Sequence, residues 1–271
     1  MTQLRTTLVQ CNLHWEDPES NCRMLEDSLA DLGANDTDLI VLPEMFATGF
    51  TMNSREMAQP MADSSVVAWL VDQARQRGCV VTGSVAIEEQ GEYFNRLVWA
   101  RPDGDISWYD KRHLFRMAGE HERYDMGRER VIVELNGFRI LLSVCYDLRF
   151  PVWLRQRQNP STHFEYDALL CVANWPAPRR HPWRTLLQAR AIENLAPVIG
   201  VTRVGEDAKG LAYSGDSMLI DAKGEALIDE ARDEPFIKTG VLDRDELAAF
   251  REKFPAWQDA DAFQLADDEA N

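Results

Sequence analysis

Three residues of this 271-residue chain could do chemistry together, and each closes an apolar run: Cys145 ends RILLSVC, Glu44 ends DLIVLPE and Lys111 ends SWYDK. Strand ends are where open α/β folds form ligand crevices. The three groups are chemically complementary. A thiol attacks poorly until it loses its proton, and a carboxylate can take that proton. An ammonium can stabilise the thiolate and then the oxyanion formed on attack, with the backbone N–H of Tyr146 as a second donor. Such a set would make a covalent hydrolase that needs no histidine. Each member also has an inert reading. A cysteine in an apolar run is a core thiol, as Cys171 in ALLCVAN is expected to be. Glu44 alone would be a surface acid at a strand end, and Lys111 a solvated turn residue.

The elements that must carry these residues alternate between strand-like and helix-like patterns. Residues 5–13 (RTTLVQCNL) read as a strand. A helix follows in SNCRMLEDSLADLG, with Ser20 as N-cap and Gly33 as stop. Residues 38–44 form a short buried strand ended by proline, and residues 64–78 an amphipathic helix closed by Gly78. CVVTGSVAIEE and YFNRLVWARPDGDISWYDK are strands joined by tight turns. VIVELNGFRILLSVCYD is a hairpin turning at Asn136-Gly137. Pro151 starts a helix in PVWLRQRQ, and residues 155–167 are an extended surface loop. A buried strand (DALLCVAN), a helix (HPWRTLLQARAIENLA), a strand (APVIGVTRVG), a late hairpin (SMLIDAKGEALIDEA) and a helix stopped by Pro255 complete the chain. This mixture implies an α/β layered domain. No linker interrupts it, so residues 1–271 read as a single domain with an acidic tail over 256–271.

Composition narrows the partners. Formal charge is −16, from 45 acids against 29 bases, which argues against nucleic-acid and membrane binding. An anionic substrate would need a local basic pocket. The five cysteines form no CxxC pair and have no histidine at metal-ligand spacing, so free thiols in a reducing, cytoplasmic setting are expected. A Cys–His arrangement would require His113, His121 or His181 as base. Glu44 and Lys111 already supply both functions, and Arg190 and Glu193, three apart on a helix, read as a structural ion pair.

LPEMFATGF, YDKRHLF with GEHERY downstream, CYDLRFP and NWPAPRRHPWRTLLQARAIEN resemble the successive signatures of the nitrilase (carbon–nitrogen hydrolase) superfamily. They occur in the family's order, and the likeness spans roughly residues 5–245. The wording of YDKRHLFRMAGEH, VCYDLRFPVW, VANWPAPR and REKFPAWQDAD is similar to that of bacterial omega-amidases acting on 2-oxoglutaramate-type amides. This resemblance implies an α-β-β-α four-layer sandwich, no cofactor or metal, a small-molecule amide substrate, and a homodimer or higher homo-oligomer. It puts Glu44, Lys111 and Cys145 on the family's Glu–Lys–Cys triad. Glu120 matches an additional site glutamate, with Glu122 as its rival. Arg149 matches a position that can face a substrate carboxylate; its alternative is an ion pair with Asp147. Phe46, Phe115, Tyr124 and Trp175 are expected to wall the pocket, and Asn174 to hydrogen-bond in the site or cap a turn. Nitrile, N-carbamoyl or aliphatic amide hydrolysis fits the same triad, and a non-catalytic binding module would fit the fold.

Overall fold

Leu39 and Val41 point one way from their strand and Ile40 and Leu42 the other, yet all four are apolar. Such a strand must be covered on both faces. The computed structural model, which describes residues 2–157 and 163–265, meets that requirement with two sheets packed face to face and helices outside each. Strands β1 (Gln3–Gln10), β2 (Leu39–Val41), β3 (Gln59–Pro60), β4 (Val80–Glu89), β5 (Glu92–Ala100) and β6 (Ile106–Asp110) lie in the first sheet. Next come β7 (Ile132–Leu135), β8 (Phe138–Val144), β9 (Ala168–Ala173) and β10 (Val198–Thr202) of the second sheet. Strands β11 (Val204–Glu206) and β12 (Ala212–Ser214) pair apart from both sheets. The second sheet is completed by β13 (Met218–Ile220) and β14 (Ala226–Asp229). Finally β15 (Phe236–Asp243) returns to the first sheet, antiparallel to β1 from Gln3 opposite Asp243 to Gln10 opposite Phe236.

Period-two alternation distributes the side chains. Leu8, Leu97 and Trp99 join the core shared with Ile140, Leu142 and Val144, whereas Val9, Val98 and Ala100 face the outer helices. Those helices are α1 (Pro18–Ser28) and α3 (Ser65–Arg77), whose Leu25, Val67, Leu70 and Ala74 are buried; a one-turn α2 (Ser54–Met57) lies between them in sequence. After the single turn of α4 (Pro151–Leu154), α5 (Arg180–Asn194) and α6 (Arg244–Lys253) cover the second sheet with Trp183, Leu187, Ala191 and Leu247. The result is the α-β-β-α sandwich. Cys171 is a fully buried core thiol, and burial pushes its pKa up to about 12.

Several local expectations change. Asp17, not Ser20, caps α1: its carboxylate accepts from Ser20 N at 3.0 Å, and Pro18 occupies the first turn. That helix ends at Ser28, well before Gly33, which instead donates to Asp36 in the following loop. The first strand stops at Gln10, and the helix at Pro151 lasts one turn. Strand β15 carries no clear sequence signal, because its outer positions are half-exposed and its sequence, FIKTGVLD, shows little alternation. The turn at Asn136-Gly137 has φ of 46° and 74°, both positive as a two-residue hairpin turn of this kind requires. Residues 158–162 of the expected surface loop lie outside the described residues, as do Asp267, Asp268 and Glu269 of the acidic tail. The described start of that tail is packed: Trp257 stacks on His163 at 4.3 Å. Among the described residues no helix is long and apolar enough to cross a membrane.

Candidate active site

Strand β2 runs parallel to β1 and β4 in the first sheet, β8 runs parallel to β9 in the second, and the chain leaves each of β2, β8 and β9 carrying a polar group. After β2, residues 42–46 run over β4. Leu42 N donates to Thr82 O (2.8 Å), Met45 N to Ser84 Oγ (2.8 Å) and Phe46 N to Ser84 O (3.2 Å). Only glycine fits beneath this crossing, since a Cβ on Gly83 would lie 2.8 Å from Phe46 Cδ1 and 2.9 Å from Leu42 Cβ. Glu44 is thereby aimed inward with 0% exposure. Lys111, directly after β6, is tied by its own N–H to Asn95 O (3.0 Å) and by its carbonyl to Gly127 N (2.9 Å). Cys145, directly after β8, adopts φ of 47°, a left-handed conformation uncommon for a residue with a side chain. Arg190 supports this elbow by donating to Leu148 O at 2.7 Å, and it also pairs with Glu193.

Lys111 Nζ lies 2.8 Å from Glu44 Oε1 and 2.9 Å from both oxygens of Glu120, and all three side chains are 0% exposed. Glu44 Oε1 also accepts from Asn95 Nδ2 (2.8 Å), and its Oε2 accepts from Asn174 N (2.7 Å). Glu120 takes the N–H of Phe115 at 2.6 Å. Asn174 links the cluster to the thiol, because its carbonyl oxygen is 4.0 Å from Cys145 Sγ. The charges are those expected of a dry cluster. Burial works against the ammonium, but Glu120 and Glu44 outweigh it and hold the Lys111 pKa well above the ordinary lysine value. Burial, opposed by Lys111 and reinforced by Glu44, raises the carboxyl of Glu120. The thiol of Cys145 is likewise pushed well up, first by burial and then by Glu44, against the opposing pull of Lys111.

The thiol is therefore protonated at neutral pH, and its proton must leave during attack. Alkylation of Cys145 by iodoacetamide, followed by mass spectrometry of its peptide, is expected to keep accelerating as pH rises past the ordinary thiol value of 9.0. A plateau at lower pH would reveal a preformed thiolate and contradict this reading.

Cys145 opens onto a cavity of about 300 Å³ lined by Phe50, Phe115, Tyr146, Arg149, Asn174, Trp175, Arg179, Lys209 and Tyr213 among others. Phe115, Arg149, Asn174 and Trp175, expected at the pocket from the sequence, line this cavity, as does Tyr146, which was expected only to lend its backbone N–H. Two aromatic expectations are corrected. Phe46 is fully buried in the core under the outer helices, 5.7 Å from Trp69, because its backbone is clamped onto β4. Tyr124 is also buried away from the pocket, its hydroxyl donating to Thr51 O at 3.0 Å. The glutamate alternative resolves geometrically: Glu120 holds Lys111, whereas Glu122 is exposed beside His121. Arg149 makes no ion pair with Asp147. Its guanidinium lies 5.1 Å from the Trp175 ring, while Asp147 is buried among other donors.

Asn95 was not singled out from sequence, since one asparagine inside a strand pattern carries no signal. Phe50 was hidden in the same motif as Phe46, four residues on. The hairpin residues Lys209 and Tyr213 belong to no motif read from the sequence.

A four-layer sandwich with an acid–ammonium–thiol cluster at its strand ends defines the class, and the chain belongs to the carbon-nitrogen hydrolase family, whose sequence model matches residues 5–252. Among its relatives, Omega-amidase YafV of Escherichia coli (strain K12) is 46% identical over 265 residues, 98% of this chain and 100% of that protein. A 2-oxoglutaramate amidase of Bacillus subtilis (strain 168) is 30% identical over 93% of this chain and 95% of its own length. The crystal structure of a CN-hydrolase superfamily protein from Xanthomonas campestris, with an arsenic adduct in its active site, superposes with a TM-score of 0.95. It is 44% identical over 98% of this chain and 100% of that one.

Proposed function

We propose that this chain is an omega-amidase that hydrolyses the terminal carboxamide of a short 2-oxo acid, such as 2-oxoglutaramate, to the dicarboxylate and ammonia. The observation that carries the substrate class is the wall of the pocket. In a chain of net charge −16, Arg149, Arg179 and Lys209 line one small cavity beside the thiol against a single acidic lining residue, Asp207, and among the described residues none of the three bases is in an ion pair. They favour a substrate bearing a carboxylate remote from the scissile amide. The likeness to an omega-amidase and to a 2-oxoglutaramate amidase points the same way.

In this reading Glu44 accepts the Cys145 proton as sulfur attacks the amide carbon. The oxyanion is held by Lys111 and the N–H of Tyr146. The tetrahedral adduct collapses, breaking the C–N bond, and ammonia departs with the proton from Glu44, leaving a thioester. Water deprotonated by Glu44 then attacks the thioester carbon, releasing the acid and restoring the thiol. Glu120 keeps the ammonium charged and in place through both of its oxygens, and Asn95 Nδ2, 2.8 Å from Glu44 Oε1 and 3.3 Å from Glu120 Oε1, keeps the two carboxylates in register. Arg149 clamps the substrate carboxylate, while Phe115, Asn174 and Trp175 shape the pocket. No residue of this scheme calls for a cofactor.

The test is ammonia release from the purified protein given 2-oxoglutaramate, glutamine, an N-carbamoyl amino acid and an aliphatic nitrile. The expected result is a kcat/KM for 2-oxoglutaramate at least about a hundredfold above the others, the discrimination that a site with fixed charge and hydrogen-bond partners can give. Preference for the nitrile or carbamoyl compound would overturn the substrate reading. We also propose a single domain that self-associates as a homodimer or larger homo-oligomer in a reducing cytoplasm. Exposed Ile192 and Phe254 beside one surface hollow support the first, and five unpaired cysteines the second.

A further inference from the structure

Asp147 is 0% exposed, yet it touches neither Arg149 nor the pocket. Its carboxylate is filled by four donors. Oδ1 accepts from His113 N (2.9 Å) and His113 Nδ1 (2.7 Å), and Oδ2 accepts from Tyr109 Oη (2.8 Å) and Val144 N (2.9 Å). The spacing of these partners is informative. Tyr109 and His113 stand two residues before and two after Lys111. Val144 and Asp147 stand one before and two after Cys145. A single buried carboxylate therefore bolts the segment carrying the ammonium to the elbow carrying the thiol, although the two belong to different sheets.

Both arms of this bolt are themselves fixed. Tyr109 Oη accepts from Trp153 Nε1 (3.1 Å) and from Arg112 N (3.2 Å). The His113 ring stacks on Phe150 at 3.8 Å with planes 7° apart. So the residues after the nucleophile, up to Phe150 and Trp153, grip the lysine loop from two sides. A core serving only to hold the sheets together would not need a charged group here, and a buried carboxylate is kept only where donors satisfy it.

We propose that Asp147, gripped by Tyr109 and His113, is a positioning residue that sets the distance between the Lys111 ammonium and Cys145. Resting on the triad reading above, it acts through those residues and touches no substrate. Its contribution is registration across the two sheets. The oxyanion forms between a donor on one sheet and a nucleophile on the other, and an error of about 1 Å there costs on the order of a hundredfold in rate. Asp147→Asn would be a severe change, because either orientation of the amide sets its NH₂ against a backbone N–H, of Val144 or of His113. The milder variants Tyr109→Phe and His113→Leu are therefore the primary tests, with His113→Asn as the conservative rescue, since its side-chain amide can donate from nearly the position of Nδ1.

Steady-state kinetics on the best amide of the substrate panel, thermal unfolding, and iodoacetamide trapping of Cys145 should be measured on the full-length protein. Tyr109→Phe and His113→Leu are each expected to lower kcat about tenfold or more with KM within about twofold, and His113→Asn to recover most of the loss. Trapping of Cys145 should change far less than kcat, because the thiol remains and only its alignment with Lys111 is lost. Lower unfolding temperatures with unchanged kcat would overturn the proposal and leave the network a fold staple. So would equal kcat losses in His113→Leu and His113→Asn. Cys145→Ala in parallel separates the two ideas: if it retains turnover the triad reading fails, whereas a dead Cys145→Ala beside a fully active Tyr109→Phe and His113→Leu sinks only the positioning role.

Discussion

Cys145→Ala is expected to fold normally and to lose turnover by roughly 10⁵-fold or more, the scale on which removing a nucleophile that acts as a unit with its neighbours reduces kcat. The side chain lost is one sulfur, and the left-handed backbone at φ of 47° makes the same demand on alanine as on cysteine. Packing is thus nearly unchanged. Chemistry is not, because no other thiol reaches the pocket to form the thioester: the other thiols are Cys171, fully buried in the core, and Cys11, Cys22 and Cys79 in the region of the outer helices. Substrate binding should persist, since Arg149 and the aromatic wall are untouched. Ammonia release at saturating 2-oxoglutaramate, with binding measured calorimetrically on the same variant, checks both halves. Residual turnover above about 1% of wild type would mean that water attacks directly and that no thioester forms.

Lys111→Met should damage stability and activity together. Three charge-assisted contacts of 2.8 to 2.9 Å disappear, and Glu44 and Glu120 are left facing each other without a counter-charge at 0% exposure. Breaking a buried pair by removing one partner typically costs about 3–5 kcal/mol. The sign of the pH dependence follows from the direction already imposed on Glu120, whose carboxyl is raised in the folded protein by burial and by Glu44. Without Lys111 that rise must grow. A folded-state pKa above the unfolded value favours the folded protein at low pH and penalises it once pH climbs through the raised value. The stability deficit against wild type should therefore be small near about pH 4 and widen toward about pH 8, because only at the higher pH is Glu120 ionised in the unfolded chain, so that folding must bury its charge or take up a proton. Urea unfolding at the two values tests this. A deficit independent of pH would show that methionine merely packs badly. Turnover should fall by about 10³-fold or more, an oxyanion donor being worth about 10²–10³ and the displaced Glu44 adding its share. Lys111→Arg should not rescue it, since a planar guanidinium cannot reproduce the three-pronged contact made by one nitrogen.

What was legible in the residues follows a physical divide. Short, local signals survived: the closing of α3 by Gly78, the Asn136-Gly137 turn, the buried run around Cys171, and the position of Glu44, Lys111 and Cys145 at or just beyond strand ends. These depend on neighbours a few positions away. The aromatic wall was read with less success. Phe46 and Phe50 share one motif, and which of them faces the cavity depends on how residues 42–46 lie across β4, a contact made between segments some forty residues apart in sequence. Strand β15 is a similar case, because what makes it a strand is the whole length of β1 beside it.

By itself, then, the sequence determined the alternating α/β plan, the three chemically complementary residues and the family they resemble, because hydrophobic period, turn chemistry and motif wording are local. Tertiary structure alone decided that Glu120 and not Glu122 holds the lysine, that Asn95 stands between two carboxylates, and that Arg149 turns to Trp175 instead of Asp147. It also gathered Arg179 and Lys209 beside Arg149, with Asp207 as the acidic member, into one cavity of net positive lining on an acidic protein. Each of these is a choice among side chains that look equivalent along the chain. They become inequivalent only when packing two sheets buries some charges, and burial is tolerated only for those that find a partner.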